Sequence, residues 1–318
     1  MSTDTERREL VRPDATIAYW VNGPDQAPLV VLLHGATLDH HAWDAQVEAL
    51  ATRYRVVVPD LRGHGESTLQ GVFRFDDAVD DVAALLDEVD DGAPLVLGGL
   101  SLGGNIAQEI VHRAPNRVHA LVVADSSCNT AARHPLAAPL TIAALSAMAL
   151  GGRERFLRHA AAVTSPHDDV RRYVLDVNED RSTREVVQIL ASLLDGALRP
   201  DPDHRLPVPT LLLVGSDDRV GDIAAGSREW AARDRRVEHV VVPGAGHASN
   251  QDNPAAFTAA VAAFLDRVLP AGAPEPRPEA PAHGWLSGLL GGRPTAEPPS
   301  ARRSWRVHHR SGRRSPEP

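Results

Sequence analysis

Ser101 lies between two glycines where a short apolar run, residues 95–100, meets a helical pattern. A strand that reverses into a helix within one residue forces that residue into strained backbone geometry, so small neighbours are needed on both sides. Gly99 and Gly103 meet this need, and the pattern predicts a nucleophile elbow that holds the serine hydroxyl at the edge of a sheet. An ordinary strand-to-helix turn can have the same composition, so the rest of the chain must supply a base, an acid and oxyanion donors.

A serine hydroxyl becomes a nucleophile when a neighbouring base, usually histidine, takes its proton. Of the 15 histidines, His247 has the most suitable context, because it follows an apolar run and a turn through Gly244 and Gly246 and precedes the last helical pattern. The alternative is a loop histidine that faces water.

The acid that orients this histidine is expected on the loop after the preceding strand. The segment LLLVGSDDRV offers Asp217 and Asp218 at such a strand end, and the order Ser, Asp, His is that of the α/β-hydrolase arrangement. Either aspartate could instead cap the following helix. Asp125, at the end of VHALVVAD, is a third candidate, since a neighbouring strand end could also reach the histidine.

A tetrahedral intermediate needs two backbone N–H donors directed at its oxyanion. Leu102, directly after the candidate nucleophile, should supply one of them. Ala36 should supply the other, because it follows His34 and Gly35 in the turn after a strongly apolar run.

The elements that must position these residues are short apolar runs alternating with helical patterns. This alternation predicts an α/β fold with an eight-stranded, mostly parallel sheet flanked by helices. The predicted strands are RRELV, ATIAYWV, PLVVLLHG, YRVVVPD, PLVLGGLS, VHALVVADS, PTLLLVGS and VEHVVVPG.

Only helical patterns occur between the sixth and seventh predicted strands. We therefore predict a core formed by residues 1–127 and 207–269 with a helical cap, residues 128–206, over the ligand-binding edge of the sheet. Surface helices without a lid role are the alternative. The Pro- and Arg-rich tail, residues 270–318, cannot build a core and is predicted to be disordered.

Composition excludes several classes of protein. The net charge of −9 argues against nucleic acid as a partner, and no apolar run approaches the roughly 20 residues of a membrane span. With no signal peptide evident, we expect a cytoplasmic protein. The single cysteine, Cys128, excludes an internal disulfide and a zinc-type ligand cluster, and it is interpreted as a packed thiol with no basic residue beside it. The oligomeric state is open.

Five separated motifs together resemble the α/β-hydrolase superfamily, in the cap-bearing branch with serine nucleophiles. The motifs are LLHGATLDHHAW, VVVPDLRGHGEST, GGLSLGG, LLLVGSDDRV and PGAGHASNQDNPAAF. The resemblance covers about residues 10–269. It implies that Ser101 is the nucleophile, Asp218 the acid and His247 the base. It also implies that the backbone amides of Ala36 and Leu102 bind the oxyanion. It implies no cofactor and no metal.

The same resemblance indicates which of the two adjacent aspartates is the acid. Asp218 is preferred to Asp217 because the family's acid usually stands three residues after the glycine, here Gly215. Residues 60–65 resemble a loop that is structural in the family.

The resemblance extends most closely to enol-lactone hydrolases, small carboxylesterases and cofactor-free perhydrolases. We therefore expect a serine hydrolase that cleaves a small or medium carboxylic ester or lactone through an acyl-enzyme. A C–C bond hydrolase, an acyltransferase or a perhydrolase could use the same triad. A non-catalytic small-molecule binding protein on the same fold is the alternative from another class.

Overall fold

The computed structural model describes residues 5–132 and 136–269, so the predicted disordered tail lies outside the described residues. The centre of the molecule is a nine-stranded sheet. Its strands are Glu6–Val11 (β1), Ala15–Asn22 (β2), Leu29–Leu33 (β3), Arg55–Pro59 (β4), Thr68–Leu69 (β5), Leu95–Leu100 (β6), Ala120–Ala124 (β7), Thr210–Gly215 (β8) and Val237–Val242 (β9).

The sheet order is β1-β2-β4-β3-β6-β7-β8-β9, with β5 paired to β2. Along this order, each neighbouring pair in the stretch β4-β3-β6-β7-β8-β9 is parallel. Strand β2 is antiparallel to β1, β4 and β5. The prediction of a mostly parallel α/β sheet is confirmed, and all eight predicted strands are present. The two-residue β5 was not predicted, because so short a segment has no detectable alternation.

Helices cover both faces of the sheet, which explains why the central strands are continuous apolar runs. In β3 the side chains of Leu29, Val31 and Leu33 enter one buried cluster, and those of Val30 and Leu32 enter the other. The α-helices are Asp44–Leu50 (α1), Phe75–Val89 (α2), Leu102–Arg113 (α3), Ala137–Ala149 (α4), Arg153–Thr164 (α5), Asp168–Asp176 (α6), Thr183–Gly196 (α7), Ile223–Arg233 (α8), Ser249–Asp252 (α9) and Pro254–Val268 (α10). In the described ranges no helix is both long and apolar enough to cross a bilayer.

Four helices, α4 to α7, form the insertion between β7 and β8, in the interval predicted to be helical. Phe156, Leu157 and Val186 give the insertion a small apolar cluster of its own. The insertion is also joined to the core, because the Ser192 hydroxyl accepts a hydrogen bond from the first backbone N–H of α2, at Phe75.

Candidate active site

Ser101 occupies the sharp turn between β6 and α3. Its backbone has φ 51° and ψ −112°, a left-handed conformation that is uncommon for a residue with a Cβ. A Cβ on Gly99 would lie 2.2 Å from the carbonyl carbon of Gly103, and a Cβ on Gly103 would lie 2.2 Å from the carbonyl oxygen of Leu33. The glycines therefore permit both the turn and its close packing against the end of β3.

His247 lies on the loop between β9 and α9 and joins the serine to an acid. Its Nε2 is 3.0 Å from Ser101 Oγ, and its Nδ1 is 3.0 Å from Asp218 Oδ2. The Asp218 side chain is fully buried. The Thr164 carbonyl at the end of α5 accepts hydrogen bonds from the backbone N–H groups of His247 and Ala248, which fixes the histidine loop.

The two other aspartates considered as the acid have different partners. Asp217 is exposed, its backbone N–H donates to the Ala245 carbonyl, and its carboxylate accepts from the Ser216 hydroxyl. Asp125 is fully buried beneath the site and accepts from the backbone N–H groups of Gly215 and Ser249. Only Asp218, of the three, is hydrogen-bonded to the histidine ring.

Two backbone amides beside the elbow have no acceptor among the described residues. The N–H groups of Ala36 and Leu102 make no hydrogen bond to the described protein. The Gly35 carbonyl is bound by His34 Nδ1 at 2.8 Å and by the Leu38 N–H at 3.2 Å. Because N–H and C=O point in opposite directions across a trans peptide, these bonds fix the direction of the Ala36 N–H. Both amides are therefore free to donate a hydrogen bond to a ligand, as oxyanion donors must be.

Hydrogen-bonded Ser, His and Asp side chains recur on unrelated folds, so the family is assigned from similarity to known proteins. Residues 30–261 match the family described as "Alpha/beta hydrolase family". The chain belongs to this family. The predicted fold class and the prediction of an α/β-fold hydrolase are thereby confirmed.

Several named proteins resemble this hydrolase over most of its length. The 3-oxoadipate enol-lactonase 1 of Acinetobacter baylyi is 26% identical over 268 residues, which is 81% of this chain and 96% of the relative. A pimeloyl-[acyl-carrier protein] methyl ester esterase of Neisseria meningitidis is 28% identical over 254 residues, covering 77% of this chain and 79% of the relative. The solved structure of a thermophilic esterase from Thermogutta terrifontis superposes with a TM-score of 0.68 at 27% identity, covering 83% of this chain and 99% of that one.

The environment of the hydrolase's His247 favours the protonated ring. Burial opposes the charge, but the hydrogen bond from the ring to Asp218 and the charge of that carboxylate outweigh burial and raise the pKa of His247 above its ordinary value. The hydrogen bond to Asp218 also favours the tautomer with the proton on Nδ1, which leaves Nε2 free to accept the serine proton.

Asp125 connects the two loops that carry the acid and the histidine. Its Oδ1 accepts from the N–H of Gly215 at the end of β8, and its Oδ2 accepts from the backbone and hydroxyl of Ser249, two residues after His247. Burial raises the pKa of Asp125 to about 7, and the nearby charge of Asp218 adds to the rise. Asp125 is therefore a positioning residue.

We expect Asp125→Asn to change how stability depends on pH. The pKa is about 7 in the folded state and about 3.9 in an unfolded chain, so the folded state retains a proton that the unfolded state has released between these values. The wild type should therefore lose stability relative to Asp125→Asn as pH rises from about 4 to about 7, and the difference should stay constant above about 7. Urea unfolding of both proteins at about pH 5 and about pH 8 measures this difference; an equal difference in unfolding free energy at both values contradicts the raised pKa.

The insertion also contacts the loop that carries Ala36, which the sequence did not predict. Asn178 is buried, and its Nδ2 donates to the Thr37 carbonyl at 3.0 Å. Thr37 has φ 62°, so this bond helps to hold a strained residue next to Ala36. The Tyr173 hydroxyl donates to Asp39 Oδ1 at 2.7 Å on the same loop. An isolated Asn or Tyr in a helical region gives no sequence signal for such a role.

The loop of residues 60–65 supports the site from below. Asp60 is fully buried and accepts from the backbone N–H groups of His40 and Glu66, each at 2.7 Å. Arg62 is buried and paired with Asp81 at 2.7 Å. These contacts fit a structural role. The described ranges contain no cluster of three or more His, Cys, Asp or Glu side chains suited to a metal ion.

Proposed function

We propose that this hydrolase cleaves small or medium carboxylic esters or lactones through a serine acyl-enzyme. The observation that carries the proposal is the continuous relay from Asp218 through His247 to Ser101, with both hydrogen bonds at 3.0 Å. It stands beside two amides, of Ala36 and Leu102, that have no other acceptor in the described protein.

The first half of the reaction transfers the acyl group to the enzyme. As Ser101 Oγ attacks the carbonyl carbon, its proton passes to His247 Nε2, and the amides of Ala36 and Leu102 bind the oxyanion. Asp218 stabilises the imidazolium that forms. The tetrahedral intermediate then collapses: the bond from carbon to the leaving oxygen breaks, and His247 returns the proton to that oxygen.

The second half releases the acid. His247 takes a proton from water, the resulting hydroxide attacks the acyl carbon, and collapse of the second tetrahedral intermediate returns a proton to Ser101 Oγ. An open-chain ester gives an acid and an alcohol as two molecules. A lactone gives one molecule, because the leaving oxygen remains attached to the acyl chain.

The similar proteins support an ester or lactone rather than another acyl compound. One is named as an enol-lactonase, another as a methyl ester esterase and a third as an esterase. The esters and lactones in these names share a carbonyl carbon bonded to an oxygen leaving group. No contact in the described site favours C–C cleavage, transfer to an added acceptor or perhydrolysis. The complete relay also argues against a binding protein that has lost its chemistry.

We also propose that the insertion, residues 128–206, acts as a cap. The Thr164 carbonyl holds the histidine loop, and Asn178 holds the loop that carries Ala36. Both loops of the proposed site are therefore in contact with the insertion.

A substrate series tests the proposed activity. Purified protein should hydrolyse p-nitrophenyl esters of short and medium acyl chains, and unsubstituted lactones, with turnover that Ser101→Ala loses. Adding a simple alcohol should leave the free acid as the main product. A transferred ester as the main product would instead assign the protein as an acyltransferase, and no turnover on the whole series would contradict ester and lactone hydrolysis.

The pH dependence of this activity should follow His247. The base must be neutral, so kcat/KM should fall as pH decreases through the His247 pKa. Because that pKa is raised, the fall should occur at higher pH than for an ordinary histidine. Steady-state kinetics at constant ionic strength measure the profile, and kcat/KM that stays constant below neutrality contradicts the assignment of His247 as base.

A further inference from the structure

One cavity in the described protein lies apart from the proposed active site. It has a volume of about 310 Å³ and lies between the C-terminal half of α3, the loop after β7, the segment after α7 and α8. The relay residues and the two oxyanion amides do not line it. Its lining includes Cys128, Thr130, Asp201, Trp230 and Arg233.

Arg233 places a guanidinium on the wall of this cavity. Its Nη2 lies 3.3 Å from Cys128 Sγ and 3.3 Å from Thr130 Oγ1. Its Nε is shielded from solvent and has no hydrogen-bond partner among the described residues. No ion pair to Arg233 occurs within the described ranges, and a guanidinium keeps its charge at all ordinary pH values.

The acidic residues of the cavity are engaged elsewhere. Glu109 Oε1 binds Arg113 at 2.6 Å and Arg199 at 3.0 Å. Asp201 Oδ1 accepts from the backbone N–H groups of residues 203 and 204. Arg199 also binds Asp76. Arg233 therefore differs from Arg199, which already has carboxylate partners.

The rest of the cavity is suited to an organic rather than an inorganic ligand. Trp230 is buried and lines the cavity, and its indole N–H has no acceptor in the described protein. Leu206 adds a buried aliphatic side chain. Binding sites for small molecules combine such apolar walls with a few charged groups.

We propose that this cavity is a second binding site that takes a small organic carboxylate, bound by Arg233, separately from ester hydrolysis. A planar guanidinium binds a carboxylate in a matched geometry. Glu109 and Asp201 are also present, and they would repel a phosphate dianion more strongly than a monocarboxylate.

The thiol of Cys128 allows access to the cavity to be measured as a rate of chemical modification. The interpretation of this thiol as having no basic residue beside it was wrong, because Arg233, distant in sequence, lies 3.3 Å from its sulfur. Cys128 is the only cysteine of the chain and lines the cavity. Every thiol modification therefore reports on the surroundings of Cys128, which also lines a smaller neighbouring cavity together with Trp230 and Arg233.

The experiment compares an anionic with a neutral alkylating reagent. With either reagent the Cys128 thiol loses its proton, its sulfur bonds to the CH2 carbon of the reagent, and iodide leaves. Only iodoacetate carries a carboxylate; iodoacetamide carries a neutral amide. We expect the rate ratio of iodoacetate to iodoacetamide at Cys128 to fall by about tenfold in Arg233→Gln. Arg199→Gln is the matched control and should retain the wild-type ratio. Peptide mass spectrometry confirms the modified residue.

A competition in the unmutated protein makes the test independent of how the variants fold. Benzoate should slow alkylation of Cys128, and inorganic phosphate at equal concentration should slow it less. Stronger protection by phosphate would overturn the assignment to a carboxylate. An unchanged ratio in folded Arg233→Gln, absence of protection by benzoate, or failure of both reagents to reach Cys128 would overturn the site itself. Ser101→Ala should give the same rates, so this test is separate from the proposed activity.

Discussion

Ser101→Ala should reduce ester hydrolysis by a factor on the order of 10⁴ to 10⁶ while leaving the protein folded. The substitution removes only the hydroxyl oxygen that His247 Nε2 contacts at 3.0 Å. The amides of Ala36 and Leu102 remain, so residual catalysis from the oxyanion hole should persist. The measurement is kcat/KM on an ester that the wild type hydrolyses, with circular dichroism as the check of folding.

A neighbouring serine provides the matched control for this substitution. Ser127 follows β7, and its hydroxyl accepts from Asn105 Nδ2 at 3.3 Å rather than from the relay. Ser127→Ala should keep kcat/KM within a few fold of the wild type. Wild-type turnover by Ser101→Ala would remove Ser101 from the mechanism.

Asp218→Asn should reduce kcat/KM by a factor on the order of 10⁴. The carboxylate accepts the Nδ1 proton of His247 and stabilises the imidazolium, and an amide at this position can donate to Nδ1 instead. That exchange favours the wrong tautomer, in which Nε2 carries a proton and cannot act as base. The loss should therefore appear mainly in kcat.

Asp217→Asn is the control that separates the two adjacent aspartates. Its side chain is exposed and contacts Ser216, so the substitution should change kcat/KM by no more than a few fold. Equal losses in both variants would mean that the loop, rather than one carboxylate, determines activity. A loss confined to Asp217→Asn would reverse the assignment of the acid.

The strands and the elbow could be predicted from the sequence because their signals are local. Apolar runs mark β3, β6, β7 and β8, which are covered by helices on both faces, and the glycines around Ser101 lie within two residues of the turn that needs them. The residues alone did not decide which of Asp218, Asp217 and Asp125 is the acid. All three stand at strand ends, and only the turn geometry places one of them against His247.

Contacts between distant segments could not be predicted in this way. Asn178 reaches Thr37 across 141 positions, and Arg233 reaches Cys128 across 105. Neither pair belongs to a periodic pattern or a motif, because each depends on how the insertion and α8 pack on the sheet. The boundaries of the cap, residues 128–206, remain a prediction for the same reason.

The most direct test of the proposed mechanism is labelling of the purified protein with a fluorophosphonate, followed by peptide mapping. The reagent forms a covalent bond with an activated serine, so we expect a label on Ser101 that is absent from Ser101→Ala. Labelling should also fall sharply in Asp218→Asn and remain in Asp217→Asn. A folded wild-type protein that takes no label, or takes it at another serine, would contradict the assignment of Ser101 as the activated nucleophile.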